Sequence, residues 1–399
     1  MSRVALFPFV SGGVLAHLGA CISVGVALRE RGHEVFVGVD EPQERFVEAA
    51  GLTPLRVIEI DPRRNDPGRL AIYRTAEEVV RTTRADGEII ARLAPDVTVV
   101  DVRVSAAMAS ELLGIPHITL MHQLGWSSWW KEPSPWRRRA HWIRRPLRAA
   151  AYVRQRLDPD PSGIVTVGLA WQAARRELGL APAPNIFETG HVAVGTTPLL
   201  DPAAELPERW RWVGPITWSA PGDAAPPERG DRPLVYVTQG STGDPHVLRR
   251  VVSELADAPV DVLVSTGRLC EPSELEELAP NVRAGRLVHG RAAMEAADVA
   301  VVHGGHLTTL ESHLAGVPTL VIPLGQDQFL WADRVERLGT GTSLRAPYLR
   351  GAVRRSVMRL LRRERYRRAV QRVASDLAKW DGPAAVAKFA GDIAAGRAG

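Results

Sequence analysis

The densest group of residues that could do chemistry lies between Val301 and Gln328. Its first part is His303-Gly304-Gly305-His306, which stands between an apolar strand end and a helical pattern over residues 307–315. A glycine pair at such a junction leaves backbone N–H groups uncovered at the positive end of the helix dipole. We therefore expect a site that binds a diphosphate and needs no metal ion.

Polar side chains suited to a sugar follow the glycine pair. Glu311 lies on the predicted helix, where its carboxylate could accept hydrogen bonds from hydroxyls. Asp327 and Gln328 offer a second acceptor and donor pair in a predicted polar loop after the strand 319–322. Together these groups fit a ribosyl diphosphate that carries a hexose. The alternative is an ordinary βαβ unit whose glycines serve packing alone.

The order of these residues resembles the donor-binding box of the nucleotide-sugar glycosyltransferases, which include plant secondary-product enzymes and bacterial macrolide and antibiotic glycosyltransferases. That box runs H-x-G-x-x-S/T-x-x-E, then G-x-P, then P-x-x-x-D-Q, and each fixed type is present here in order. The resemblance implies an α/β protein of the GT-B fold, with two facing Rossmann-like doubly wound domains and a cleft between them. The expected donor contacts are Ser241, His289, His303, Gly305, His306, Thr308, Glu311, Asp327 and Gln328. Of these, His289 departs from the family pattern, because plant members carry a Trp-x-Gln segment at that place.

The amino-terminal segment predicts the start of a doubly wound sheet, with a strand over 4–9, a helix over 16–31 and a strand over 34–39. The family resemblance places its catalytic histidine at His17, although Ala16 and Ala20 replace the glycine and proline of the family pattern. An imidazole titrates near working pH and can take the proton of an attacking hydroxyl. The alternative role for His17 is to cap the helix.

A base histidine is usually oriented by a carboxylate. Asp101 is the candidate because it follows the predicted strand 97–100, at the sheet edge where ligand loops emerge. Asp101 could instead cap the helix that follows it.

Five of the eleven tryptophans fall within residues 124–160, a segment rich in proline and arginine. The resemblance places the acceptor site here, and Trp126, Trp129 and Trp130 suit a flat or apolar acceptor. Two alternatives stay open. The segment 126–156 could contact an anionic membrane surface, or the tryptophans could be buried beneath arginine side chains with solvated head groups.

The length of 399 residues predicts two domains. We expect an acceptor-binding domain over 1–215, a linker over 216–232, a donor-binding domain over 233–380 and a terminal helix over 381–399 that crosses back. In the second domain, strands are predicted at 234–238 and 262–265, with a weaker strand over 286–288 that ends at His289.

Composition excludes several classes of protein. The net charge of +5 is concentrated in residues 131–156 and 350–372, which hold nine and ten basic residues against one acidic residue each. Neither segment matches a nucleic-acid-binding module, so we expect no nucleic acid partner. The two cysteines and the absence of a long apolar run in the sequence favour a cytoplasmic protein. A homodimer is left open.

The expected activity is an inverting transfer of a hexose or deoxyhexose from a UDP- or dTDP-sugar to a hydroxyl of a small natural product. No resident cofactor and no metal are expected. His303, His306 and His313 could be metal ligands, but the sequence offers no cysteine or suitably spaced pair of carboxylates to complete a metal site with them. The alternatives are a catalytically idle nucleotide-sugar-binding partner and a nucleotide-sugar epimerase. The base, the sugar and the acceptor are not determined by the sequence.

Overall fold

The computed structural model describes most of the chain, with gaps. The described residues are 1–10, 15–60, 73, 75–123, 164–183, 185, 187, 189–203, 205–220, 230–240, 243–345 and 349–397, of which 164–167, 326 and 327 are described by their backbone alone. Ser241, the three acceptor tryptophans Trp126, Trp129 and Trp130, and the segment 126–156 lie outside the described residues.

The chain divides into two compact units, each with one parallel sheet. One unit is formed by Met1–Gly13, Val24–Val213 and Pro383–Gly399, and the other by Val14–Ser23 and Gly214–Gly382. Among the described residues, no helix combines the length and apolar character needed to cross a bilayer.

The first sheet has seven strands in the order β3-β2-β1-β4-β5-β6-β7, all parallel to their neighbours. The strands are β1 (Arg3–Pro8), β2 (Glu34–Val39), β3 (Thr53–Arg56), β4 (Val97–Asp101), β5 (His117–Met121), β6 (His191–Val194) and β7 (Trp210–Trp212). The described helices of this part of the chain are α1 (Leu15–Glu30), α2 (Glu44–Ala49), α3 (Ala76–Leu93), α4 (Val104–Leu112) and α5 (Ile164–Glu177).

The central strands of this sheet are buried and mainly apolar because helices cover both faces of a parallel sheet. All five residues of β4 are buried. The register pairs Pro8 of β1 with Asp101, and the Phe9 N–H donates to the Asp101 carbonyl at 2.7 Å. Asp101 therefore stands at the carboxyl end of its strand, as the sequence predicted, and the structure places it beside the point where β1 ends.

The second sheet has six parallel strands in the order β10-β9-β8-β11-β12-β13. They are β8 (Leu234–Thr238), β9 (Asp261–Ser265), β10 (Val282–Gly285), β11 (Val299–Val302), β12 (Thr319–Val321) and β13 (Gly341–Ser343). The helices are α6 (Pro245–Leu255), α7 (Ser273–Glu276), α8 (Gly290–Ala296), α9 (His306–Leu314), α10 (Gln326–Leu338), α11 (Ala352–Arg362) and α12 (Glu364–Leu377). The last described helix is α13 (Gly382–Ala394).

From β8 the chain first adds β9 and β10 on one side of the sheet, and then adds β11, β12 and β13 on the other side, so the strand order reverses between β8 and β11. In open α/β sheets, ligands bind outside the carboxyl ends of the strands at such a switch point. The glycine pair that follows β11 lies at this place, which agrees with the diphosphate site expected from the sequence.

Two local expectations were wrong. The edge strand β10 covers Val282–Gly285 and not 286–288, since its register with β9 ends at the pair Gly285 and Ser265. Asp327 and Gln328 lie in the first turn of α10 and not in a loop. The helix begins there because the Gln328 side chain caps its amino-terminal end, a long-side-chain contact that the polar composition did not reveal.

Candidate active site

The amino-terminal end of α9 has a backbone geometry that suits an anion. Gly304 has φ of 91°, a conformation that favours glycine, and Gly305 is the residue at the N-cap with φ of −61°. Because glycine has no side chain, it forms no cap hydrogen bond to the N–H groups of the first turn. Those groups and the positive end of the helix dipole suit a phosphate. Thr308 lies in the same turn.

The His303 imidazole lies buried beneath this glycine pair. A Cβ atom at Gly305 would lie 2.6 Å from its Nε2, and one at Gly240 would lie 2.5 Å from its Cε1. Both positions therefore require glycine. Burial lowers the pKa of His303 to about 4, so the ring is neutral at working pH. A neutral ring can donate one hydrogen bond to a phosphate, but it adds no positive charge.

Glu311 lies in the second turn of α9, and its carboxyl group is hydrogen-bonded within the protein. Its Oε1 accepts a hydrogen bond from the Ser219 hydroxyl at 2.6 Å, and the same hydroxyl oxygen accepts from the Arg291 backbone N–H at 3.1 Å. Burial raises the pKa of the Glu311 carboxyl to about 7, while the Ser219 hydrogen bond and the Arg291 charge oppose that rise. Ser219 belongs to the segment predicted as linker and was not among the expected site residues.

Two of the expected donor contacts have structural roles. The His289 Nδ1 accepts from the Ala292 N–H at 3.2 Å and so caps α8. The Gln328 Oε1 accepts from the N–H groups of Leu324 at 2.7 Å and Gly325 at 2.9 Å. These bonds leave the Gln328 amide nitrogen as the group available to a sugar. Nothing is described of the Asp327 side chain.

The other two histidines of this segment pack against Trp331. The His306 and Trp331 rings meet edge to face at 5.4 Å between centroids. The His313 Nδ1 donates to the Thr309 carbonyl at 2.7 Å, and its Nε2 lies 2.9 Å from the Thr340 hydroxyl. Both ring nitrogens of His313 are thus used, one within α9 and one in holding α9 to Thr340.

A second group of polar side chains lies at the carboxyl edge of the first sheet. Asp101 ends β4, and His122 follows β5 directly. The His122 Nε2 donates to both Asp101 carboxylate oxygens, at 2.8 and 2.9 Å, and both side chains are buried. One side-chain nitrogen or oxygen atom from each of His17, Asp101 and His122 lies within 4.8 Å of the corresponding atom of the other two. The structure thus brings the His17 and Asp101 side chains close together.

His122 is the residue that the sequence analysis missed. The signal was present, because His122 follows a buried strand just as Asp101 does, and carboxyl ends of neighbouring parallel strands meet at one edge. Two imidazoles and one carboxylate are also a set that binds divalent transition metals. In this arrangement, however, the His122 Nε2–H already binds the Asp101 carboxylate.

The chain combines two Rossmann-type parallel sheets, an uncapped helix start with a carboxyl group behind it, and a histidine–aspartate group at the first sheet. These features fit a glycosyltransferase of the GT-B class. Residues 249–392 match the family model of the erythromycin biosynthesis protein CIII-like C-terminal domain. The PGL/p-HBAD biosynthesis rhamnosyltransferase of Mycobacterium bovis is 32% identical over 331 residues, which cover 77% of this chain and 68% of that protein.

Solved structures agree with this class. The glycotransferase of kitacinnamycin has a TM-score of 0.74 at 21% identity, and covers 98% of this chain and 99% of its own. The calicheamicin glycosyltransferase CalG4 has a TM-score of 0.70 at 25% identity, with 98% of both chains covered. The chain belongs to the family of macrolide-type glycosyltransferases of antibiotic and secondary metabolism. The predicted family, fold class and enzyme class are thereby confirmed.

Proposed function

We propose that the protein transfers a hexose or deoxyhexose from a UDP- or dTDP-sugar to a hydroxyl of a small natural product, with inversion at the anomeric carbon. The observation that carries this proposal is the group formed by His17, Asp101 and His122. It places an imidazole beside a buried carboxylate, which is the arrangement that a general base for a hydroxyl needs.

In this mechanism the His17 imidazole takes the acceptor proton as the hydroxyl oxygen forms its bond to the anomeric carbon. Asp101 stabilises the resulting imidazolium through its negative charge. The bond between the anomeric carbon and the diphosphate oxygen breaks, and the nucleoside diphosphate leaves with the electron pair. The N–H groups at the start of α9 stabilise the leaving diphosphate.

Glu311 would accept hydrogen bonds from the ribose hydroxyls, and the Gln328 amide would donate to the transferred sugar. The name of the mycobacterial relative supports a deoxyhexose of the rhamnose type as the transferred sugar. The acceptor contacts Trp126, Trp129 and Trp130, and the phosphate contact Ser241, remain part of the proposal from the sequence.

The proposal also includes a reaction that needs no metal ion or resident cofactor, a cytoplasmic location and no nucleic acid partner. Both cysteines, Cys21 and Cys270, are buried free thiols, which fits a reducing compartment. A membrane contact through 126–156 and a homodimer stay open alternatives for the partners.

A panel of UDP- and dTDP-sugars tests the donor by thermal shift, since a ligand that binds only the folded state raises Tm. The best donor is then incubated with phenolic and macrolide-type acceptors in excess chelator. We expect a glycoside product with inverted anomeric configuration. Donor turnover without any acceptor would favour an epimerase, and donor binding without turnover would favour the idle binding partner.

A further inference from the structure

The backbone immediately after Asp101 is strained. Three non-glycine residues in the described part of the chain have positive φ, namely Tyr73, Ala94 and Val102. Ala94 is accounted for as the left-handed cap that ends α3. Val102, at 58°, is β-branched and sits between β4 and α4, so its conformation needs another cause. Such conformations persist only where the surrounding structure holds them.

A buried ion pair holds the chain on the far side of Val102. Arg103 is fully buried, and its Nε and Nη2 donate to the two Asp86 carboxylate oxygens at 2.8 to 3.2 Å. The Nη2 also donates to the Ile58 carbonyl at 2.9 Å. A buried pair of this kind is very costly to break, because the charge left behind has no partner.

Further polar groups complete the shell of Asp86. The Ser105 hydroxyl donates to Asp86 Oδ2 at 2.6 Å and lies 3.1 Å from the Tyr73 hydroxyl, with all three side chains buried. The network therefore fixes both the arginine and the first turn of α4. None of its members lies in the group formed by His17, Asp101 and His122.

The strand holds the chain on the near side of Val102. Asp101 is paired with β1, and Pro8 and Val102 form an antiparallel bridge. Asp101 thus lies between a fixed strand and a fixed arginine, with one strained residue as the connection. A shift of Arg103 would turn the peptide at Val102 and with it the Asp101 side chain.

We propose that the Arg103–Asp86 pair is a positioning device for the proposed reaction. It holds Val102 in its strained conformation and so directs the Asp101 carboxylate to the histidines. Neither residue touches substrate. The inference rests on the proposed function only for its kinetic consequences, because the position of Asp101 can be measured without turnover.

The test compares Arg103→Lys with Arg175→Lys. Arg175 is the control, because its buried guanidinium also forms a two-point pair in the same unit, with the partly exposed Glu111 at 2.7 and 2.8 Å. Lysine keeps the positive charge in both variants but cannot donate two parallel hydrogen bonds to one carboxylate, as a guanidinium does. We expect Arg103→Lys to lower kcat by about ten- to a hundred-fold with donor KM nearly unchanged, since small misplacements of catalytic groups have effects of that size. Arg175→Lys should lower Tm without changing kcat.

Two measurements keep the inference falsifiable if Arg103→Lys does not fold or no donor is found. Ser105→Ala removes one hydrogen bond to Asp86 and retains the ion pair, so it should fold and show a smaller loss of kcat. Nitrogen-15 NMR of the His122 ring reports the hydrogen bond to Asp101 directly, and its signal should change in Ser105→Ala but not in Arg175→Lys. An unchanged His122 signal, or equal kinetic losses in the Arg103 and Arg175 variants, would overturn the positioning role. Absence of transfer by the wild type would instead refute the proposed function.

Discussion

The proposed contact of Glu311 with the ribose should give the nucleotide affinity a pH dependence that can be calculated. Only the ionised carboxylate can accept hydrogen bonds from two hydroxyls of a ribose through both oxygens. Burial raises the Glu311 pKa to about 7 in the free protein. With that pKa, about one molecule in eleven is ionised at pH 6 and about ten in eleven at pH 8. Since apparent affinity scales with the competent fraction, Kd should fall by about tenfold over this range.

Isothermal titration calorimetry with UDP and dTDP at pH 6, 7 and 8 measures this change. Glu311→Gln is the control, because its amide does not titrate while the nucleotide phosphates titrate equally in both experiments. The ratio of the two Kd values therefore isolates the carboxyl. Ser219→Ala should move the midpoint upward, since the Ser219 hydrogen bond lowers the Glu311 pKa.

The same pKa has a consequence for stability. The folded pKa lies above the ordinary value of 4.5, so the folded state binds more protons than the unfolded state between pH 4.5 and about 7. The contribution of Glu311 to stability therefore falls as pH rises through that window. If the wild type and Glu311→Gln showed parallel Kd profiles from pH 6 to 8, the role of this carboxyl in binding would be refuted.

Three further predictions concern the base, the glycine pair and acid stability. His17→Ala should abolish transfer while Kd for the nucleotide stays within about twofold, as a base acts on the transition state and not on binding; unchanged turnover would remove the assignment. Gly305→Ala should weaken nucleotide binding at least tenfold in calorimetry, because its Cβ would lie 2.6 Å from the His303 ring. Gly168→Ala in α5 is the control and should leave Kd unchanged, because a Cβ at Gly168 would meet no atom within 4 Å. Burial lowers the pKa of both His303 and His313 to about 4, so each contributes about 3 kcal/mol of stability above pH 6.5 that is lost as pH falls towards 4. Urea denaturation of the wild type and of His303→Gln at pH 7 and 4.5 measures the His303 part, because all other titrating groups are common to both proteins. The wild type should lose more stability than the variant on going to pH 4.5, and equal losses would contradict the prediction.

Local patterning was sufficient for the elements that carry the site. The apolar run of β1, the helix after it and β2 were predicted within a residue or two, because central strands of a parallel sheet are apolar throughout and glycine ends the helix. The position of the glycine pair between β11 and the start of α9 was likewise predicted, since the strand end, the turn and the helix start all depend on residues adjacent in the sequence. The edge strand β10 was misplaced because its bounds depend on pairing with β9.

The sequence by itself therefore determined the family, the two-sheet α/β class and the positions of His17, Asp101 and Glu311 on their elements. Only the tertiary structure placed His122 against Asp101, and Ser219 against Glu311, which is 92 residues away in the chain. It also showed that Gln328 caps a helix, and that burial makes His303 neutral. The physical reason is that hydrogen bonds between distant segments and the loss of solvent around a charge arise only when the sheets are assembled, and neither has a local signature in the sequence.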